Sequence, residues 1–318
     1  MNKPTLYILF LMILALIILT LLKTQGVSYE LTEKIETRHE ITKVAASSYV
    51  RKGQHRPIFK SEDIANIGFI IGSSCVAVID TGASYNEGLR LLETIRELTA
   101  TPICYVINTH AHPDHMLGNK AFQAADVTFI GHHKLAQSLA LVGDFFLQRL
   151  RASEYATAQD TKIIFPDKAV SGTLELDLGD RKLQLTAHAT AHTAADLSIY
   201  DPKDDVLWLG DLLFLEHVPA LDGSLLGWIA ELEDLQDKQM TTVIPGHGAV
   251  NKAWPQAGHG LLRYLRVLRD ETREWIAAGG DIEGAHEHVG LSERGLWQQF
   301  DDFHKRNVIS AYAELEWE

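Results

Sequence analysis

Thr109-His110-Ala111-His112-Pro113-Asp114-His115 closes the apolar run ICYVIN (103–108), and its reading decides the rest of the chain. Four side chains of metal-binding type fall within six positions. Residues two apart on an extended segment point to the same side, so His110 and His112 face one point. A turn at Pro113 carries Asp114 and His115 toward a second. The competing reading, a polar surface loop, requires that three histidines and an aspartate gather there by chance; the clustering makes a metal site the stronger expectation.

A zinc ion takes three or four protein groups, so two ions need more ligands than this loop holds. The remaining candidates are His192 in AHTAADL, Asp211 in WLGDLLF and His247 in IPGHG. Each stands at the end of a predicted strand or in a glycine-containing turn, where a side chain is presented at a sheet edge. Taken singly, each also fits a capping or turn role. His188, four residues before His192, rivals it, and spacing alone does not choose between them.

Upstream of the loop, NIGFIIGSSCVAVIDTG (66–82) reads as two strands broken at Gly72-Ser73-Ser74, and GLRLLETIRELTA (88–100) has helical spacing before the strand ICYVIN. Downstream, KLQLTAHA, DLSIYD, DVLWLGDLLF and TTVIPGHG are short strand-like runs between Asp, Gly and Pro turns. From about residue 255 the spacing turns helical, with Leu262, Leu265, Leu268 and Trp275 on one side, and a second helix is expected in the tail. The expected organisation is a membrane segment over 1–24, a polar segment over 25–60 leading into the domain, a catalytic domain over 61–250 and a helical extension over 251–318.

The 318 residues are 46% hydrophobic and 22% charged, which suits a core-burying chain and argues against disorder. A net charge of −13 without a Lys/Arg cluster argues against nucleic acid as a partner. Cys75 and Cys104 lie in runs that read as buried strands, so free buried thiols are expected, with a disulfide left open if the two strands are neighbours. The uncharged stretch from Thr5 to Leu22, flanked by Lys3 and Lys23 and followed by no small-x-small cleavage site, reads as an uncleaved signal anchor. The charge bias puts the N-terminus in the cytoplasm and the body outside. The expected location is the bacterial inner membrane with the catalytic domain in the periplasm, or export with the signal removed.

Together HAHPDH, AHT, GDLLF and PGHG, preceded by VIDTG, resemble the ordered signature of the metallo-β-lactamase-fold superfamily. The resemblance implies an α/β fold of the αββα sandwich type: two mixed sheets face to face, helices outside, metals at one open edge. It implies that His110, His112 and His192 bind a first zinc, that Asp114, His115 and His247 bind a second, and that Asp211 bridges them. It prefers His192 to His188. Asp at 211, in place of Cys or Ser, is similar to the glyoxalase II and general hydrolase branches rather than to true β-lactamases. Asp80 in VIDTG is either a turn residue or, as the resemblance favours, a carboxylate that hydrogen-bonds a ligand imidazole. A narrower resemblance, carried by ANIGFIIG, INTHAHPDHMLGNKAF, HVPALDGSLLGW and FHKRNVISAYAELEWE, is to the quinoprotein relay system zinc metallohydrolases. It implies a quinoprotein dehydrogenase as a partner and names no substrate.

The function so implied is hydrolysis of a small-molecule ester, thioester, lactone or amide. Two zinc ions about 3.5–4 Å apart lower the pKa of a shared water to about 7, giving a bridging hydroxide that attacks the carbonyl. Asp114 and Asp211 are the candidate catalytic carboxylates, Asp114 orienting the nucleophile and handling its proton. His217, Asp222 and Trp228, in the loop after Asp211, are candidates for substrate contact, with Trp228 equally readable as a core anchor. A mononuclear iron oxygenase similar to the persulfide dioxygenases and a noncatalytic metal-loaded accessory protein are the rival expectations. His132, His133, His259, His286, His288 and His304 read as ordinary surface or capping residues.

Overall fold

The apolar runs between the Gly, Asp and Pro turns become the strands of two sheets. In a computed structural model of the chain, residues 41–56, 63–153, 160–250 and 252–318 are described. The expected signal anchor over 1–24 lies outside them; among the described residues no helix is long and apolar enough to cross a membrane. The elements in chain order are β1 (Ile41–Lys43), β2 (Ser48–Arg51), β3 (Ile67–Ile71), β4 (Val76–Ile79), α1 (Tyr85–Leu98), β5 (Ile103–Ile107), α2 (Pro113–Met116), β6 (Thr128–His132), α3 (Leu135–Arg151) and β7 (Lys168–Val170). There follow β8 (Thr173–Asp177), β9 (Lys182–Ala187), β10 (Leu197–Asp201), β11 (Val206–Phe214), α4 (Leu225–Leu235), β12 (Met240–His247), β13 (Lys252–Trp254), α5 (His259–Ala277) and α6 (Phe300–Leu315).

One sheet has seven strands in the order β1-β2-β3-β4-β5-β6-β7, and the other six in the order β13-β12-β11-β10-β9-β8. Both are mixed: β1 to β4 run antiparallel and β4 to β7 parallel in the first, while β11 and β12 are the parallel pair of the second. Strand alternation explains the layering. Ala77 and Ile79 of β4 point into a core shared with Leu183, Leu185, Ile199 and Trp208 of the other sheet. Val76 and Val78 point the opposite way, against Leu91, Leu92 and Ile95 of α1. With both faces covered, the strand is apolar at every position. On the outer face of the second sheet, Leu207 and Leu209 pack with Trp228 of α4, Leu265 of α5 and Val308 of α6. This is a helix-sheet-sheet-helix sandwich.

Two observations differ from the sequence reading. Cys75 and Cys104 are bonded to each other, not free. They sit at the start of adjacent parallel strands, where Val76 pairs with Ile103, and both are half-buried rather than enclosed in the core. The first sheet also begins at β1 and β2, within the stretch read as a polar lead-in; three- and four-residue strands are too short to show a pattern.

Candidate metal centre

The seven expected ligands gather at one edge of the sandwich, on loops, a short helix and two strands. His110 and His112 follow β5, Asp114 and His115 lie in α2 behind Pro113, and His192 lies in the loop between β9 and β10. Asp211 and His247 belong to the parallel pair β11 and β12. Glycine permits that convergence. A Cβ at Gly246 would lie 1.8 Å from Asp211 Oδ1, and one at Gly210, whose φ is +52°, would lie 2.7 Å from the Thr109 side chain. Only bare backbone lets the strand ends close beneath the carboxylate.

Each histidine has one ring nitrogen fastened and the other turned inward. Thr109 Oγ1 donates to Asp80 at 2.7 Å and therefore accepts from His110 Nδ1 at 3.0 Å. His115 Nδ1 donates to Asp80 Oδ2 at 2.8 Å, His192 Nδ1 to the Ala220 carbonyl at 2.8 Å and His247 Nδ1 to the Ile64 carbonyl at 3.1 Å. His112 is held the other way round: its Nε2 meets Asp222 Oδ2 at 3.0 Å, leaving Nδ1 only 3.1 Å from His192 Nε2. Fixing the outer nitrogen fixes the tautomer and aims the inner lone pair. Asp80 is thus the carboxylate beside a ligand imidazole that the sequence suggested. Its φ of +54° is a left-handed conformation that Asp tolerates, and there it also accepts from the Thr109 amide.

The inward atoms form two groups, His110, His112, His192 and Asp211, and Asp114, His115 and His247, each within a 4.8 Å span. Asp211 lies between them: Oδ2 is 3.3 Å from His192 Nε2 and 3.4 Å from His247 Nε2, and Oδ1 is 3.1 Å from His115 Nε2. His110 Nε2, His115 Nε2 and Asp211 Oδ1 are buried without a hydrogen bond of proper geometry. Orphaned lone pairs on converging side chains are what a cation satisfies, so this set fits metal. Burial lowers His110 well below the usual range and His192 to about 4, leaving both neutral and ready to ligate. Burial opposes charge on His115 and His247 as well, but Asp211 and Asp114 raise both. These imidazoles hold protons that a cation would displace.

The other candidates divide. His188 is tied to Glu231 and Ser198, each at 2.7 Å, and stands outside both groups. Asp222 reaches the cavity beside the candidate ligands, but its carboxylate is engaged by His112 and Arg306. Trp228 is a core residue, fully buried, with its indole nitrogen donating to the Leu212 carbonyl and its ring 5.1 Å from that of His192. The expectation that it meets substrate is therefore corrected: α4 points it inward. His217 does line the cavity, stacked on His247 and Phe214. Two of the histidines read as ordinary, His132 and His304, are buried.

A family model described as the metallo-beta-lactamase superfamily matches residues 61–247. The chain belongs to that superfamily. Among curated proteins it is similar to a linear primary-alkylsulfatase of Pseudomonas sp. (strain ATCC 19151), 23% identical over 245 residues. That alignment covers 64% of this chain and 45% of the relative, so the chain spans less than half the relative's length. Among solved structures, a metallo-beta-lactamase from Pontibacter korlensis matches with a TM-score of 0.59 at 19% identity, over 71% of this chain and 98% of that one. A double mutant of the sec-alkyl sulfatase PisA1 matches with a TM-score of 0.67 at 15% identity, over 87% of this chain and 50% of that one. At such identities the structures speak for the fold. This member of the superfamily carries histidine and aspartate clusters suited to a metal cofactor.

Sequence reading missed Thr109, Asp222 as a histidine partner, and the carbonyls of Ala220 and Ile64. Thr109 stood inside the opening motif and was open to notice. The carbonyls carry no residue signal.

Proposed function

We propose that this chain is a dinuclear zinc hydrolase of small-molecule esters, thioesters, lactones or amides, tethered by residues 1–24 with its body in the periplasm. The observation that carries the proposal is that five imidazoles and two carboxylates each turn one free ligand atom to the same edge. His110 Nε2, His112 Nδ1 and His192 Nε2 would hold the first ion, Asp114, His115 and His247 the second, and Asp211 both. Two ions so held supply a nucleophile at neutral pH and polarise the bond under attack. Asp114 lines the cavity, and although burial works against its ionisation, His115 and His247 hold it at about 2. An ionised carboxylate there would accept a hydrogen bond from the attacking group and orient it. His217, lowered to about 4 by burial beside His247, enters the cavity neutral and offers substrate a hydrogen bond rather than a charge. A bonded Cys75–Cys104 pair supports an oxidising compartment. A quinoprotein dehydrogenase is the proposed neighbour there.

The alkylsulfatase relatives favour a second reading in which the same residues serve a sulfate ester. Elemental analysis with a panel of carboxylic, thio- and sulfate esters tests both. Zinc near two per chain with turnover of a carboxylic ester supports the first; turnover of sulfate esters alone supports the second. Iron near one per chain defeats both and favours an oxygenase.

A further inference from the structure

Helix α6 lies beyond residue 247, outside the superfamily match, yet it is fastened to the segment that braces two of the candidate ligands. Its Asn307 is fully buried among apolar neighbours on the same helix, Val308, Ala311 and Leu315. An amide in such a place is costly unless its hydrogen bonds are made. Asn307 makes three, all to residues distant in sequence. Nδ2 donates to the Pro219 carbonyl at 2.7 Å and the Tyr264 hydroxyl at 3.0 Å, and Oδ1 accepts from the Leu221 amide at 3.0 Å. Pro219 and Leu221 flank Ala220, whose carbonyl accepts from His192 Nδ1 at 2.8 Å. One side chain thus grips the backbone on both sides of the oxygen that aims His192.

Two more side chains of α6 hold the same stretch. Arg306 pairs with Asp222, which meets His112 Nε2 at 3.0 Å. Glu314 accepts from the Ser224 hydroxyl at 2.6 Å and from the Leu225 and Leu226 amides at 2.6 and 3.2 Å. A carboxylate at that helix start anchors the first turn of α4, which sets Trp228 against the His192 ring at 5.1 Å. The other group is fastened elsewhere: His115 by Asp80 after β4, and His247 by the Ile64 carbonyl before β3.

We propose that α6 belongs to the metal centre. Asn307 is a positioning residue that sets His192 through residues 219–221, so the group of His110, His112 and His192 takes up its ion only with α6 seated, while the group of Asp114, His115 and His247 does not depend on it. That ions sit there rests on the function proposed above; the brace itself does not.

The test uses the full-length chain and its N307L, V308A and H192A variants. Leucine keeps the branched shape of asparagine and removes all three hydrogen bonds, while V308A loosens the same helix without touching residues 219–221. H192A identifies which step of a zinc titration against a chelator belongs to the first group. We expect N307L to weaken that step at least tenfold, as loss of a ligand's outer support typically does, and V308A to leave it unchanged. The other step should be unmoved in both. Cobalt substitution should show N307L losing the part of the visible spectrum that H192A loses. In the metal-free chain, hydrogen exchange should quicken in N307L alone at Asp222 and Ser224, whose amides bond the His192 and Ala191 carbonyls. Equal weakening of both steps in N307L, equal weakening of the first step in V308A, or no change in either variant overturns the proposal. A native chain that takes up no zinc defeats the metal reading instead; exchange that quickens in N307L alone then upholds the brace, and unchanged exchange overturns it.

Discussion

Asp222 fastens His112 and pairs with Arg306 at the rim of the cavity, so Asp222→Ala, read by metal affinity, reports what bracing that ring contributes. Losing such a partner typically weakens metal binding about 10- to 100-fold. We expect Asp222→Ala to bind zinc more weakly by that factor in a chelator competition, with activity returning at excess zinc; unchanged affinity would show that His112 needs no brace. A second residue makes a prediction about pH. Asp196 is fully buried and pushed up to about 7 by desolvation, despite hydrogen bonds from the Thr193 amide and hydroxyl. Its folded pKa is above the unfolded value, so the fold binds the proton more tightly and stability from this group is lost as pH rises from about 4 to 7. Asp196→Asn removes that loss, and urea unfolding should show the variant gaining on the native chain across this window and level above it. The side chains that gather as candidate ligands were legible in the sequence because metal chemistry restricts such sets to a few residue types at tight spacing. Their braces were not, since the Ala220 and Ile64 carbonyls belong to any residue and Asp222 looks like a loop aspartate.

Asp211 and His247 stand on strands, so changes at strand backbones reach the site directly. Gly246→Ala puts a methyl group where Asp211 Oδ1 lies, and either β12 moves from β11 or the carboxylate turns away. The expected outcome is loss of at least one metal per chain by elemental analysis, together with destabilisation of about 1–3 kcal/mol typical of overpacking. Retention of full metal content would mean that the strand pair adjusts without moving Asp211. On the opposite sheet, the Cys75–Cys104 bond closes a loop of sequence separation 29 between β4 and β5. By chain entropy, breaking such a loop costs about 3–4 kcal/mol. Cys75→Ser with Cys104→Ser should lower stability by about that amount in denaturant while leaving metal content intact, since neither residue approaches the ligands. Short apolar runs between Gly, Asp and Pro turns revealed β3, β4, β5, β9, β10, β11 and β12, and leucine spacing revealed α5; β7, β8 and β13 were not read. The pairing of the cysteines was not legible, because it depends on β4 and β5 being neighbours. Nor was the exposure of Leu141 and Phe145 on α3, which look in sequence like more core.

At the scale of the whole chain, the two sheets are joined across the site: one supplies the 110–115 loop and the other supplies His192, Asp211 and His247. Without a cation, that edge holds five imidazoles against two buried carboxylates, with protons retained on His115 and His247 by the acidic groups. A metal held at this edge would bind only the folded arrangement, because in an unfolded chain residues 110 and 247 have no reason to meet. Binding is therefore linked to stability of the entire sandwich, and saturation at a hundred times the dissociation constant adds about 2.7 kcal/mol for each ion. For a domain of this size each kcal/mol moves the midpoint by about 2–4 °C, so chelation should lower it by about 5–10 °C per ion removed. Calorimetry with stepwise chelation and zinc return checks this. Two separable drops would assign unequal affinities to the two groups, and a single drop would make Asp211 the link that empties both together. A midpoint indifferent to chelation would mean that the seven side chains hold the edge closed by their own hydrogen bonds and that no ion is needed there.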